Sequence, residues 1–309
     1  MGRILALTGV TGNKSGKVLI EQLLSNLERI KAMFPDGVRI LIRSTSNIQT
    51  ISAVLPDAEI CVCDFENKES LIKCLTEVDT VIHIAGIQRS KMIVDASGVC
   101  QVRRLILVHT TGIYSKYKAA GEEYRNIDEY VYRKCKENNI ILTICRPTMI
   151  YGNIYDNNVI IFVKMVDKLP IMPVVNGAKY ELQPVHYADL GKAYYQILVN
   201  EETTANKDYN LSGGSAIMLR DMLKIIGKNL GKKVRFISCP FPVAYVGAWV
   251  IYCVTFGKKD FRENVQRLCE PRIFSYKEAT LAFDYNPMTF EEGIVNEIKE
   301  YKKEKVTKV

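Results

Sequence analysis

Short apolar runs alternate with longer amphipathic stretches through the first half of the chain. Residues 3–8 (RILALT), 38–43 (VRILIR), 58–63 (AEICVC), 80–85 (TVIHIA), 104–109 (RLILVH) and 140–145 (IILTIC) each read as a strand. Their nearly unbroken aliphatic character predicts a parallel sheet covered on both faces. After the first run, Val18, Leu19, Leu23, Leu24 and Leu27 recur at helical spacing. Strand, helix, strand at this interval predicts an α/β, doubly wound parallel sheet of the Rossmann type.

Past Tyr151 the alternation loosens. A turn leads into a helix at LQPVHYADLGKAYYQIL, KDYNLSG reads as a short strand, and MLRDMLKIIGKNLG as an amphipathic helix that stops at Gly231. The expected organisation is a Rossmann domain over 1–152, with some later segments returning to it. A small, mainly helical lobe over 153–309 would supply the substrate side.

One run carries no charge from Cys239 to Gly257. Its length lies at the lower limit of a membrane span, and Pro240 and Pro242 interrupt its start, so no transmembrane span is expected. A helix buried in the protein or lining a ligand pocket is the preferred reading. Membrane-surface contact by 241–256 is the alternative.

Composition changes the picture in three places. The chain of 309 residues has a formal net charge of +8, but its Lys and Arg are scattered. Without a basic stripe interleaved with aromatics, no nucleic-acid partner is expected, and a phosphate-bearing small molecule suits the charge better. The nine cysteines, including Cys61 and Cys63, show no metal-ligand or disulfide spacing, and reduced thiols are expected. No signal peptide opens the sequence, so a cytoplasmic location is expected.

Candidate chemistry begins at ALTGVTGNKSGKVL, between the first strand and the first helix. Gly9 permits the tight turn, Gly12 lets backbone amides approach a pyrophosphate, and Gly16 allows close helix–strand packing. Thr11 and Asn13 share this loop, and the helix N-terminus adds amides and partial positive charge. The second strand ends in Arg43, where an acidic residue would bind the ribose of NAD; a guanidinium can pair with a 2′-phosphate. NADP(H) is therefore preferred and NAD(H) is the alternative. Asp64 falls at the sheet edge where the adenine should lie.

The segments TGVTGNKSG (8–16), CDFENKESL (63–71), VIHIAG (81–86), VRRLILVHTTGIY (102–114), CRPTMIYG (145–152) and LQPVHYADLGKAY (182–194) run in one order, followed by FDYNPMTFEEGI (283–294). In that order the chain resembles the short-chain dehydrogenase/reductase superfamily, in its extended and atypical branches. It looks most like the NAD-dependent epimerase/dehydratase family. The resemblance implies cofactor roles for Gly9, Gly12, Gly16, Arg43 and Asp64, with Ala85 and Gly86 beside the ribose and Pro147 and Thr148 flanking the nicotinamide. It implies that Thr110 or Thr111 holds a substrate oxygen, that Tyr114 transfers its proton, and that Lys118 partners the Tyr and grips the ribose. Tyr151 and His186, the latter near Asp189, would face the substrate, possible nucleotide sugars included.

Hydride transfer at an oxygen-bearing carbon needs a proton moved on that oxygen. A phenol with a pKa near 10 does this as a base at neutral pH only if a nearby cation favours its phenolate. Lys118, four residues after Tyr114, would share a helix face with it. Members of the family, however, separate the strand-end hydroxyl from the Tyr by a dozen or more residues. Here only Gly112 and Ile113 lie between Thr111 and Tyr114.

Two readings follow. One is an oxidoreductase or epimerase working through Tyr114; the other is a catalytically inactive NAD(P)-binding redox sensor of the NmrA-like type. The crossover between VIHIAG and RRLILVH is shorter than in extended members, which leaves the oligomeric state open. His83 and His109 read as satisfied core or strand-end histidines, and no Ser–His–Asp triad or metal site is expected.

Overall fold

The computed structural model describes residues 2–46, 55, 57–117 and 119–307. Seven strands form one all-parallel sheet: β1 (Ile4–Thr8), β2 (Val38–Ile42), β3 (Glu59–Val62), β4 (Val78–His83), β5 (Arg104–Val108), β6 (Ile141–Pro147) and β7 (Lys207–Leu211). Their spatial order is β7-β6-β5-β4-β1-β2-β3. The order reverses at β1, and the crevice beside the carboxyl ends of β1 and β4 is where such sheets receive ligands.

The continuous apolar runs are explained by two covered faces. Leu5 and Leu7 of β1 join one core cluster, with Leu19 and Leu23 of α1 (Ser15–Ser25). Ile4 and Ala6 join the opposite cluster, with Leu71 of α2 (Lys68–Leu75), Ile93 of α3 (Ser90–Val99) and Val131 of α4 (Gly121–Glu137). Successive strand residues point to opposite faces, so a sheet covered on both sides keeps every position apolar. A third cluster lies between α5 (Val159–Lys168), α7 (Leu219–Leu230) and α10 (Phe290–Thr307). Helix α6 (Tyr187–Val199) returns to the first cluster through Leu190 and Tyr194.

Three expectations are corrected. Tyr114 does not stand in the first turn of a helix: it closes a short 3-10 turn over Thr111–Tyr114, Ser115 is extended, and α4 begins only at Gly121. The chain is held off helical geometry there because Ser115 Oγ and the Lys116 amide donate to the Glu270 carboxylate. The start at Gly121 also sets Glu122 and Glu123 in the first turn, where the helix dipole favours acidic groups. Second, Cys61 of β3 and Cys74 of α2 are joined as a disulfide instead of remaining reduced. Third, the uncharged run forms α8 (Phe241–Val254), and only Ala248 of that helix is buried.

Candidate functional site

The glycine loop opens at the end of β1. Gly9 has φ +75°, and a Cβ there would lie 2.8 Å from the Ala85 amide nitrogen after β4. A Cβ on Gly16 would lie 2.6 Å from the Gly9 carbonyl, so α1 presses directly on the loop. At Gly12 a Cβ would meet nothing within 4 Å. Two of the glycines therefore allow close packing while the middle one faces open space, which is the division of labour a phosphate cradle needs. Lys14, before α1, offers no side-chain cap to the helix amides. Those amides remain suited to an anion. The Asn153 side chain donates to the Asn13 carbonyl at 2.7 Å, tying the segment after β6 to this loop.

The other expected cofactor residues follow the carboxyl ends of neighbouring strands. Arg43 is exposed after β2, Asp64 is exposed after β3, and Ala85 and Gly86 are half-buried after β4. One Asp64 carboxylate oxygen accepts from the Glu66 amide at 3.0 Å, which fixes the side chain at the sheet edge. The donor set fits a dinucleotide. If Arg43 reads a 2′-phosphate, Arg43→Ala is expected to weaken NADPH about 10-fold relative to NADH. Parallel calorimetric titrations with the two cofactors test this, and an unchanged affinity ratio refutes the role.

A cavity of about 430 Å³ continues past the ends of β5 and β6. Thr110, Thr111, Tyr114, Pro147 and Thr148 form one wall; Gln183, Arg267, Glu270, Arg272 and Phe274 form the other. Thr110 Oγ1 accepts from the Gly112 amide at 3.0 Å and keeps its own proton available for a ligand. Thr111 donates to the Pro147 carbonyl at 3.1 Å. The Thr148 hydroxyl is engaged by the Gln183 carbonyl. The Tyr114 ring rests on Phe274, with centroids 5.4 Å apart, and half of the residue is exposed.

Burial raises the Tyr114 pKa, with the charge of Arg146 opposing and that of Asp208 adding. Its phenol is therefore protonated at neutral pH. Lys118 lies outside the described residues. Thirteen residues after Thr111, on α4, stands a further tyrosine, Tyr124, which approaches Gly112. Four residues further along the same helix, the position a lysine would take in a Tyr–Lys pair is Asp128.

Asp128 is buried and fully committed. It receives His109 Nδ1 at 2.7 Å and the Arg146 guanidinium at 2.7 Å; Arg146 also reaches Asp208 at 2.7 Å. Burial opposes the Asp128 charge, but the bonds from His109 and Arg146 prevail and hold its pKa below the usual carboxylate range. His109 Nε2 faces Ser90 Oγ at 2.9 Å. Ser, His and Asp are thus linked, contrary to the sequence expectation. Ser90 is wholly buried, however, and an acyl substrate could not reach its hydroxyl.

His83 is satisfied by Thr8 Oγ1 at 2.7 Å and the Gly86 carbonyl at 3.1 Å. Tyr151 and His186 are both buried, edge to face at 5.3 Å, beneath α10 and away from the cavity wall. His186 Nδ1 accepts from the Ala188 amide and caps α6. Asp189 accepts from the Met288 amide at 3.0 Å.

Sequence reasoning missed Arg267, Glu270, Arg272 and Phe274. The signal available was the dense RLCEPRIF stretch, which has no periodicity to mark its facing. Arg267 and Arg272 each carry a buried Nε without a hydrogen-bond partner among the described residues. Burial, with the charge of Arg267 beside it, lowers the Arg272 pKa to about 10. Arg267 pairs with Glu263 at 3.6 Å, and Glu270 accepts from Ser115 and the Lys116 amide, so both carboxylates near this wall are already engaged.

Residues 2–252 match the NmrA-like family. The chain belongs to that family. Membership places it in the atypical part of the short-chain dehydrogenase/reductase superfamily and implies NAD(P) binding. In structure it is similar to gox2253, with a TM-score of 0.77 and 19% identity over 98% of this chain and 99% of that one. It is also similar to the dTDP-glucose 4,6-dehydratase DesIV of Streptomyces venezuelae, solved with NAD bound. That likeness has a TM-score of 0.72 and 16% identity over 98% of each chain. These likenesses carry the fold. In sequence, 33% of the chain is 26% identical to a mitochondrial NADH dehydrogenase [ubiquinone] 1 alpha subcomplex subunit 9 of Arabidopsis thaliana, spanning 25% of that protein.

Proposed function

We propose that this NmrA-like protein is an NADP(H)-preferring reductase of small carbonyl compounds that carry a phosphate or carboxylate, nucleotide sugars included. The observation that carries the reading is the cavity itself, where Thr110 and Tyr114 face Arg267 and Arg272. A dinucleotide, when bound, would supply the hydride. Gly9, Thr11, Gly12, Asn13 and Gly16 hold its phosphates, Arg43 and Asp64 its adenosine end, and Ala85, Gly86, Pro147 and Thr148 the ribose and nicotinamide end. Thr110 donates to the substrate carbonyl oxygen and orients it. Tyr114 gives that oxygen its proton, and Arg267 and Arg272 hold the anionic group.

The direction of chemistry follows from the phenol. Burial keeps Tyr114 protonated, and the charge four residues after Tyr124 is negative. Such a phenol is a poor base for taking a proton from an alcohol and a serviceable acid for giving one. Reduction is therefore favoured over epimerisation through a ketone.

Asp128 also supports a second reading, an NAD(P)-binding redox sensor without turnover, because a Tyr–Lys pair is not built on α4. One substitution separates the two. On the reductase reading, Tyr114→Phe lowers kcat by about 100-fold or more with a panel of phosphorylated and carboxylated carbonyl compounds, while NADPH affinity holds. Equal NADPH oxidation by the wild type and Tyr114→Phe across that panel removes Tyr114 from the chemistry and leaves the sensor.

A further inference from the structure

We infer that helix α8 docks this protein onto an anionic lipid bilayer by lying in the membrane surface. The helix is apolar on both sides. Its inner side carries Phe241, Ala244, Tyr245, Ala248 and Tyr252, only one of them fully buried. Its outer side exposes Val243, Val246, Trp249, Val250, Ile251 and Val254, with Val254 71% exposed, and Phe256 just beyond the helix is 92% exposed. At 100° per residue these outer positions cover about half of the helix circumference. Surface helices of a water-facing protein carry polar groups there, and contiguous exposed apolar patches mark interaction sites.

Length and charge name the occupant. A helix of 14 residues is about 21 Å long, short of the roughly 30 Å a span requires. Among the described residues no helix is long and apolar enough to cross a membrane. From Lys232 to Lys259 there is no acidic residue, and Lys233, Arg235, Lys258 and Lys259 bracket the uncharged run on both sides, Lys232 being paired with Asp167. All four are exposed, and the chain as a whole is at +8. An apolar face with interfacial aromatics between two basic flanks complements acyl chains topped by anionic headgroups. Helix α9 (Arg262–Leu268) packs against α8 and carries Arg267 of the cavity wall. The Arg262 guanidinium lies 4.0 Å over the Tyr252 ring. The docked helix therefore adjoins the ligand cavity.

Trp249 is the sole tryptophan of the chain and sits on the outer face, 52% exposed, so its emission reports on this helix alone. The full-length protein is mixed with vesicles of phosphatidylcholine alone or enriched in phosphatidylglycerol. Docking predicts a blue shift of Trp249 emission, protection from iodide and co-sedimentation, all favoured by phosphatidylglycerol and weakened by salt. Val250→Asp with Val254→Asp, both exposed and tolerated by the fold, abolishes all three signals. Lys258→Glu with Lys259→Glu reduces binding about 30-fold or more on the anionic vesicles only. Trp249 emission indifferent to both vesicle types overturns the inference. So does a blue shift that grows with protein concentration in the absence of lipid, which assigns the face to a second copy of the chain.

Discussion

Asp128→Ala is expected to lower folding stability by about 3 kcal/mol, because it strips a buried cation of the more buried of its two counter-charges, both at 2.7 Å. Arg146 is 3% exposed at its side chain and is held by Asp128 and Asp208, the latter more open to solvent. His109 loses its Nδ1 partner in the same step and retains only Ser90. The melting temperature should fall by on the order of 10 °C. Asp128→Asn keeps an acceptor for His109 and should lose less than half as much. Differential scanning calorimetry of the three proteins checks the ranking. A melting temperature within a degree of wild type for the alanine variant contradicts the network's structural role.

Folding stability should peak near pH 6.5 and fall on either side. On the acid side, burial lowers the pKa of His83 to about 4, against an opposing hydrogen bond to the Gly86 carbonyl. Burial, with the charge of Lys192, lowers His186 to about 4. His109 is lowered by burial as well. A histidine lowered on folding contributes its full stability above its unfolded pKa of about 6.5, and loses it as pH falls toward the folded value.

On the alkaline side the group is Glu297, 0% exposed, whose pKa burial and the neighbouring Asp156 carboxylate raise to about 9. One of its oxygens accepts from the Gly152 amide at 2.9 Å. A carboxyl raised on folding is most stabilising below its unfolded pKa, and stability drains as pH rises toward 9. Between pH 6.5 and 4.5 Glu297 offsets one histidine, and Asp189, also raised by burial, acts in its sense at the lower end. With His83 and His186 set against Glu297 the net loss is about 1.4 kcal/mol per pH unit, to which His109 adds, and a similar slope from Glu297 holds above 6.5. Urea midpoints across this range should trace the peak, and Glu297→Gln should flatten the alkaline limb while steepening the acid one, where Glu297 no longer offsets a histidine. A flat wild-type profile, or an alkaline limb that survives Glu297→Gln, contradicts these assignments.

The sheet was legible because both of its faces are covered, which makes its strands continuous apolar runs such as ILALT and RLILV. The glycine loop was legible because close packing at Gly9 and Gly16 leaves no alternative residue. One wall of the cavity, Thr110 to Tyr114 and Pro147 to Thr148, followed from the order of those strands. The other wall did not, because Arg267 to Phe274 arrive from a distant irregular stretch that no periodicity orients. Asp128 sits among the apolar positions Tyr124, Ile127 and Val131 of α4, and only the folded chain shows that His109 and Arg146 meet it there. The Cys61–Cys74 bond joins a strand to a helix, a pairing that spacing alone does not specify. For α8 the pattern was read correctly as apolar, yet pattern cannot distinguish a helix inside the protein from one left at its surface.

NADPH binding by wild type against Gly12→Val tests the glycine loop as a dinucleotide cradle most directly. A side chain at position 12 enters open space, so the variant should keep the wild-type melting temperature. It should nevertheless fill the volume a pyrophosphate takes and weaken NADPH by about 100-fold or more, which is a loss of roughly 3 kcal/mol in a calorimetric titration. Equal NADPH affinity in the two proteins, at equal melting temperature, contradicts the account.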